Sequence, residues 1–442
     1  MKSISFKIEK VIKNILFVFF LFLTAGYILL PKAFPKLKIE IGPVPLYISE
    51  IFILISAAFI IYLVVKNKFR IEKIYFFYAF FFFFAVLLLS LSIGLYSYRD
   101  VTYVLRQSAL FYYCLFYFIV FYLFNSIKKI KYFIITVLVC SNLLIIVFSV
   151  NFLGLAGKVF GGLTEYMTGG YYFPIAILLI LEINLIETIK RRSLKILILA
   201  DIVVLVILSI MDNVRGNWMA IIAALIFSFI ISRNKKKFAV NILIVILVLV
   251  VISAAVILIK PQLLENTLSE IKSLKYIFIG KSGENRTIAI VNTNWRAIAW
   301  RGFLREYIKR PVFGWGFGKK FLPTKTFDMG WNTGLADNWV ATHNYIISFL
   351  FISGIAGLIS FGFIIVLFFK KNIGFLKRYR TGKYRYLLSA FMGSIFYILV
   401  LGLLEVVLEV PYQAAFFWSF LAFNMLIIKE YDNGKNKSIT GS

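Results

Sequence analysis

The chain has 442 residues, of which 61% are hydrophobic, 18% are aromatic and only 16% are charged. Soluble domains carry about 25% charged residues, so the composition excludes a soluble globular class and indicates an integral membrane protein. The formal net charge of +29 does not indicate nucleic acid as a partner, because basic residues that set membrane topology and meet anionic lipid headgroups explain much of it.

Apolar runs long enough to cross a bilayer recur along the whole chain and predict transmembrane helices. Stretches such as FFYAFFFFFAVLLLSLSIGLY lack the alternation of barrel strands. We therefore predict an all-α, polytopic membrane protein with about 12 transmembrane helices. The predicted spans are 14–30, 46–65, 74–96, 109–127, 132–153, 171–189, 194–211, 216–232, 238–259, 343–369, 384–403 and 408–428.

The basic residues alternate between the two sides of these spans as the positive-inside rule requires. Segments predicted to be cytoplasmic hold 29 Lys and Arg residues, whereas the short outer loops hold 7. Both termini are therefore expected in the cytoplasm. The first apolar run is expected to remain as a span, because no small-residue cleavage pattern follows it.

A long outer segment separates the ninth span from the tenth. We predict spans one to nine over 1–259, a large extracytoplasmic loop over 260–342, spans ten to twelve over 343–428 and a cytoplasmic tail over 429–442. The loop has 13 basic and 6 acidic residues. Long loops escape the topological rule, so this excess suggests an anionic ligand outside the membrane.

Within this loop, the stretch NTNWRAIAWRGFLREYIKRPVFGWGFG predicts an amphipathic helix at about 294–310, which Pro311 and the glycines end. At 100° per residue, Phe303, Tyr307 and Trp300 fall within about 40° of Arg296. A second basic group lies on the opposite side, at Arg301, Arg305 and Lys309. Arg296 thus lies on the aromatic face.

An arginine among large apolar side chains needs an anion or a carboxylate to offset its desolvation. A guanidinium suits phosphate, because it offers paired donors in a fixed plane, so Arg296 is a candidate diphosphate-binding residue. The alternatives are a snorkelling arginine and an internal ion pair. Arg215, the only basic residue of a short outer turn, is a second candidate, with pairing to Asp212 as its alternative.

The only histidine of the chain, His343, begins the tenth span. A neutral imidazole there could act as a general base, although a histidine at a helix start is more often a cap or a surface residue. Both cysteines, Cys114 and Cys140, lie in apolar runs and are interpreted as small hydrophobic residues. We expect no metal site, because no second histidine or cysteine cluster is present.

Three motifs occur in a characteristic order. Arg296 and Trp300 form R-x3-W, the stretch RPVFGWGFG follows, and His343 begins HN-x9-G-x-x-G, which ends at Gly354 and Gly357. With the upstream VRG around Arg215, this order resembles the bacterial O-antigen ligase and polymerase superfamily. The resemblance implies a twelve-span fold with a large late outer loop, in the bacterial inner membrane.

The resemblance also implies an activity: en bloc transfer of a polyprenyl-diphosphate-linked glycan to an acceptor sugar at the outer face, with no metal and no cofactor. His343 would deprotonate the acceptor hydroxyl, and Arg215 and Arg296 would hold the diphosphate. The anomeric centre would be inverted. Some ligases have two threonines after the last glycine, where this chain has Leu358 and Ile359; we therefore favour a surface polysaccharide polymerase over a ligase acting on lipid A-core.

A lipid-linked glycan flippase is the alternative from another class. It would need charges along its spans, and the interior acids are only Glu182 and Asp201. Three further acids lie near outer ends, where they could orient His343 or bind acceptor hydroxyls: Glu50, Glu405 and Glu409. The expected partners are therefore a polyprenyl-diphosphate-linked oligosaccharide, an acceptor glycan and the lipid bilayer, and no nucleic acid.

Overall fold

The computed structural model confirms the helical class. It describes most of the chain, namely residues 2–31, 33–41, 44–66, 75–124, 126–152, 170–189, 191–211, 214–259, 288–320, 342–379 and 384–439. Much of the predicted outer loop, 260–287 and 321–341, lies outside the described residues.

Each predicted span overlaps one described helix or a group of short helices, with different bounds. The first part of the described chain contains α1 (Lys2–Leu29), α2 (Ile48–Val65), α3 (Phe77–Ser97), α4 (Val101–Gln107), α5 (Ala109–Tyr112), α6 (Leu115–Leu123) and α7 (Ile127–Phe152). The second part contains α8 (Tyr172–Leu185), α9 (Arg192–Met211), α10 (Arg215–Ile231), α11 (Lys235–Ile259), α12 (Ile288–Lys309), α13 (Tyr345–Arg378), α14 (Arg385–Leu401) and α15 (Pro411–Ile439).

Two features depart from a bundle of uninterrupted helices. The all-α prediction missed an antiparallel hairpin of β1 (Lys38–Ile41) and β2 (Val44–Tyr47), which lies between α1 and α2. The predicted span 109–127 is not one straight helix, because α4 and α5 together bend by 47° against α6. The sequence did not reveal the hairpin of β1 and β2, because an alternating pattern over only four residues does not distinguish a strand from a loop.

Among the described residues, six helices are long and apolar enough to cross a membrane, or seven if the bent segment from α4 to α6 is one span. The six are α1, α2, α3, α7, α13 and α15. Three helices are apolar but shorter, namely α8, α10 and α14. The structure thus supports a multi-pass membrane protein, and the twelve-span count stays a prediction.

The core lies where α15, α14 and α8 meet. The central helix α15 is buried over almost its whole apolar length, and α14 packs against α10, α8 and α15. Large rings fill this core; Trp418 is fully buried beside Phe80 and Phe83. The turn between α14 and α15 is therefore anchored by buried helices on both sides.

Helix α13 is interrupted at Gly354, which has φ +65° and ψ −164°. The segment after α12 enters this break: Trp315 donates a backbone hydrogen bond to Phe351 O (2.9 Å), and Ile355 donates one to Pro311 O (2.8 Å). Backbone groups that the break leaves without helical partners are thus satisfied by the inserted segment. The RPVFGWGFG motif therefore joins α12 to α13.

Replacing Gly354 with alanine should destabilise the protein by about 1–3 kcal/mol, because an L side chain is strained at this φ. The added Cβ would also collide with the Val312 carbonyl. Thermal unfolding in detergent measures the loss.

Gly362, on the same helix, is the matched control. A Cβ there meets nothing within 4 Å, and alanine favours a helix over glycine by about 1 kcal/mol, so Gly362→Ala should unfold at the same or a higher temperature. Equal destabilisation by both substitutions would contradict the role given to the break.

Candidate functional site

The Glu405 carboxylate joins two of the residues that the sequence singled out. It lies in the turn between α14 and α15, and Arg296 Nη2 donates to its Oε1 at 2.8 Å. His343 Nδ1 lies 3.2 Å from the other oxygen, Oε2. The side chains of Arg296, Glu405 and His343 are 28%, 20% and 31% exposed, so the group is accessible but largely shielded from water.

Arg296 is positioned by the apolar face of α12. Phe303 is fully buried, with its ring 4.9 Å from that of Phe351 on α13, and Trp300 Nε1 donates to Thr342 O at 2.6 Å. Arg301 and Arg305 are exposed. The aromatic face predicted for this helix is thus the face that packs, and it places Arg296 beside Glu405.

His343 has an unusual backbone conformation. Its φ is +50°, a left-handed value that is uncommon outside glycine, and such strain persists only where the surroundings impose it. Here the next two residues are fixed: Asn344 Nδ2 donates to Leu403 O (3.1 Å), and Tyr345 N donates to Gly402 O (2.9 Å). These bonds tie the start of α13 to the end of α14, beside Glu405.

Asn344 also caps α13. Its side-chain oxygen accepts from the backbone N–H groups of Ile346 and Ile347, the arrangement expected of an N-cap asparagine. The cap role that the sequence left open for His343 therefore belongs to Asn344, the second residue of the HN pair.

The contacts of Glu405 set its ionisation and the tautomer of His343. Burial by itself would raise the pKa of Glu405, but the hydrogen bond with His343 and the charge of Arg296 outweigh it and hold that pKa below its ordinary value. An ionised carboxylate only accepts hydrogen bonds, so Nδ1 of His343 carries the proton that it shares with Glu405. In the neutral imidazole, Nε2 is then the basic nitrogen.

A second polar chain supports the same turn. Ser348 donates to Glu409 Oε1 at 3.0 Å, and its hydroxyl lies 2.6 Å from that of Thr342. Burial raises the pKa of Glu409, although Ser348 and the nearby His343 act against this. The two glutamates of the turn therefore differ: Glu405 is held ionised, whereas the ionised form of Glu409 is disfavoured.

Arg215 is the first residue of α10, and its backbone borders this group. A Cβ built on the next residue, Gly216, would lie 4.0 Å from Glu405 Oε1. The helix is held in place by Tyr397, whose hydroxyl donates to Asn217 Oδ1 at 2.6 Å. The positive end of the α10 dipole therefore lies close to the carboxylate. Asp212, the alternative partner of Arg215, lies outside the described residues.

The third acid considered for this role, Glu50, belongs to another polar group. It accepts from the backbone N–H of Tyr47 at 2.9 Å and from the hydroxyl of Tyr112. From the sequence, Glu50, Glu405 and Glu409 were equal candidates, because each lies near the predicted outer end of a helix. In the described part of the chain, no group of three or more His, Cys, Asp or Glu residues could hold a metal ion.

Comparison with known protein families gives a match to part of the chain. Residues 199–362 fit the family model described as O-antigen ligase, which confirms the resemblance drawn from the motifs around Arg215, Arg296 and His343. The match begins within α9, covers α10, α11 and α12, and ends about halfway along α13. A search of curated proteins found no match to this chain.

Glu405→Gln should lower the free energy of unfolding at pH 7 by about 1–3 kcal/mol, because Arg296 and His343 lose the charge that they share. The folded-state pKa of Glu405 is depressed, so its carboxylate adds stability above the ordinary pKa and loses it as the pH falls through the folded-state pKa. The difference between wild type and variant should therefore shrink below about pH 4. Thermal unfolding at both pH values tests this.

Glu409→Gln is the matched control from the same turn, with the opposite expectation. Because burial raises the pKa of Glu409, its ionised form costs stability at neutral pH, and the glutamine variant should be at least as stable as wild type. A Glu405 effect that is the same at acidic and neutral pH would contradict the ionic role of this residue.

Proposed function

We propose that the protein is a membrane glycosyltransferase. It moves a polyprenyl-diphosphate-linked glycan en bloc to an acceptor sugar at the outer face of the bacterial inner membrane. The family match at residues 199–362 supports the O-antigen ligase and polymerase type of enzyme. The observation that carries the mechanism is the pair of contacts by which Glu405 joins Arg296 to His343.

His343 is the general base of this reaction. Glu405 holds the proton on Nδ1, so Nε2 accepts the proton of the acceptor hydroxyl. The carboxylate also stabilises the imidazolium that forms, as the third member of a nucleophile–base–carboxylate arrangement does. The left-handed backbone of His343 fixes where the imidazole lies, because the hydrogen bonds on either side leave it little freedom.

Arg296 and Arg215 bind the diphosphate. The acceptor oxygen bonds to the anomeric carbon as the bond from that carbon to the diphosphate oxygen breaks, and the leaving polyprenyl diphosphate takes the electron pair. Charge thus grows on the phosphate oxygens, and fixed cations stabilise it. Attack from the side opposite the leaving group inverts the anomeric centre.

The ion pair between Arg296 and Glu405 is compatible with this role. A guanidinium has five N–H donors, and the bond from Nη2 to Glu405 uses one of them. Before substrate binds, the carboxylate offsets the cost of a shielded positive charge. The sequence left an internal ion pair and a phosphate site as alternatives for Arg296. In the proposed mechanism, the side chain of Arg296 takes part in both, first with Glu405 alone and then with the bound diphosphate.

Polymerisation remains the favoured reaction. The arrangement of base and arginines serves a polymerase and a ligase equally, since the two reactions differ only in the acceptor. Leu358 and Ile359 follow Gly357 where some ligases have two threonines. No cofactor or metal enters the proposed reaction.

A lipid-linked glycan flippase is the second candidate. It gains little from the interior acids, because Glu182 is buried close to Asp201 of the neighbouring helix. Two acids enclosed between packed helices do not line a path. The described acids next to the histidine lie instead at helix ends, at Glu405 and Glu409.

Purified wild-type protein should release polyprenyl diphosphate from a lipid-linked repeat unit and form longer glycans in the presence of EDTA. His343→Ala should lower the release rate by about 100-fold to 10,000-fold, since it removes the general base. Arg296→Gln should lower it by about 100-fold to 1,000-fold through lost charge stabilisation. The rate of diphosphate release measures both.

Arg301→Gln is the control for Arg296, because it removes the same charge from the exposed side of the same helix, and it should retain activity.

Release of polyprenyl diphosphate only when lipid A-core is supplied would make the protein a ligase. Movement of intact lipid-linked glycan across the membrane, with no diphosphate release under either condition, would favour the flippase.

A further inference from the structure

A basic pocket lies at the end of the bundle opposite to Glu405. It has a volume of about 240 Å³ and opens between α1, α6, α7 and α15. Its charged and hydroxyl-bearing lining residues are Lys13, Lys429, Glu430, Ser126 and Tyr122. Lys429 is 18 residues beyond the start of α15, which places the pocket roughly 27 Å along that helix from the Glu405 turn.

Two lysines, Lys13 and Lys429, line this pocket, and a third, Lys129, lies close to Lys13; each ammonium group lies over an aromatic ring. Lys13 Nζ is 4.1 Å from the ring centre of Tyr122, and Lys429 Nζ is 4.9 Å from that of Phe121. Lys129 Nζ is 4.7 Å from the ring of Phe17. A ring face stabilises an ammonium group electrostatically and does not itself occupy an N–H donor. Lys129 also donates to Leu123 O at 3.0 Å.

The described residues that line the pocket include two lysines and one glutamate, which is exposed. Lys13 and Lys129 are close enough for their charges to repel each other. Glu9, whose charge acts on Tyr122, lies in the same region. Like charges held together in a partly buried site favour a bound anion.

The first turn of α7 adds backbone donors to the same place. Ser126, just before this helix, and Ile127, its first residue, both line the pocket. The N–H groups that begin a helix have no partners within it and carry the positive end of its dipole, which suits a phosphate group. The hydroxyl of Ser126 is a further donor.

We propose that this pocket binds the phosphate group of an anionic phospholipid. The headgroup meets Lys13 and Lys429, and the acyl chains follow the apolar outer surface of α1 and α7. Exposed apolar side chains already line that route, among them Val11, Ile15 and Val18 on α1 and Ile135 on α7. Basic pockets between transmembrane helices are a recognised form of headgroup site.

Native mass spectrometry of the full-length protein in neutral detergent tests the proposal, with phosphatidylglycerol, phosphatidylethanolamine and inorganic phosphate as separate probes. Wild type should retain one phosphatidylglycerol in preference to phosphatidylethanolamine. The double variant Lys13→Gln with Lys429→Gln should bind it about tenfold more weakly or worse, because two charge-assisted contacts are lost. The double variant Lys13→Arg with Lys429→Arg keeps both charges and should retain binding.

Lys128→Gln is the matched control, since Lys128 neighbours Lys129 but is exposed on α7. It should bind phosphatidylglycerol like wild type. If inorganic phosphate competes with the lipid, and if its binding needs the same two lysines, the pocket is a phosphate site that is filled from solution. The proposal would be overturned if Lys128→Gln weakened phosphatidylglycerol binding as much as the double glutamine variant does. It would also be overturned if the double glutamine variant eluted like wild type and bound phosphatidylglycerol equally well.

Discussion

The arrangement of the candidate site depends on the carboxylate of Glu405. In a place largely shielded from water, it forms an ion pair with Arg296 and a hydrogen bond with His343. A charge removed from water is costly unless it is paired, and here an arginine and a histidine share the compensation. This pairing requires α12, the start of α13 and the turn between α14 and α15 to meet at one point. The aromatic packing of Phe303 and the backbone bonds of Asn344 and Tyr345 are the means by which they do so.

The glycines after α12 and in α13 also help to position the candidate site. The segment after α12 enters the break at Gly354, and its backbone replaces hydrogen bonds that the interrupted helix lacks. Gly314, with φ +66°, lies so close to the backbone around Ile352 that a Cβ could not fit. The glycines therefore allow close approach of two backbones. They anchor α12 against α13, so that Arg296 and His343 keep a fixed separation.

The two ends of the bundle carry different chemistry. At one end, a carboxylate, an arginine and an imidazole lie near the N-termini of α10 and α13, in an arrangement suited to proton transfer and to a leaving diphosphate. At the other end, lysines over aromatic rings form a pocket suited to a headgroup phosphate. Because helices between them are buried and closely packed, each end can bind its own ligand without a shared cavity.

The sequence alone determined the helical class, the residues 343 and 296 as candidates, and the face of α12 that packs. The helical class and the packing face follow from hydropathy and from a 3.6-residue period, and His343 follows from its being the only histidine; all are properties of the chain itself. Only the tertiary structure decided which acid joins them: Glu405 is 109 residues from Arg296 and 62 from His343. No local pattern encodes such a pairing, because it arises from the packing of α12, α13 and α14. The β1–β2 hairpin and the break at Gly354 likewise depend on distant partners that meet only in the folded protein.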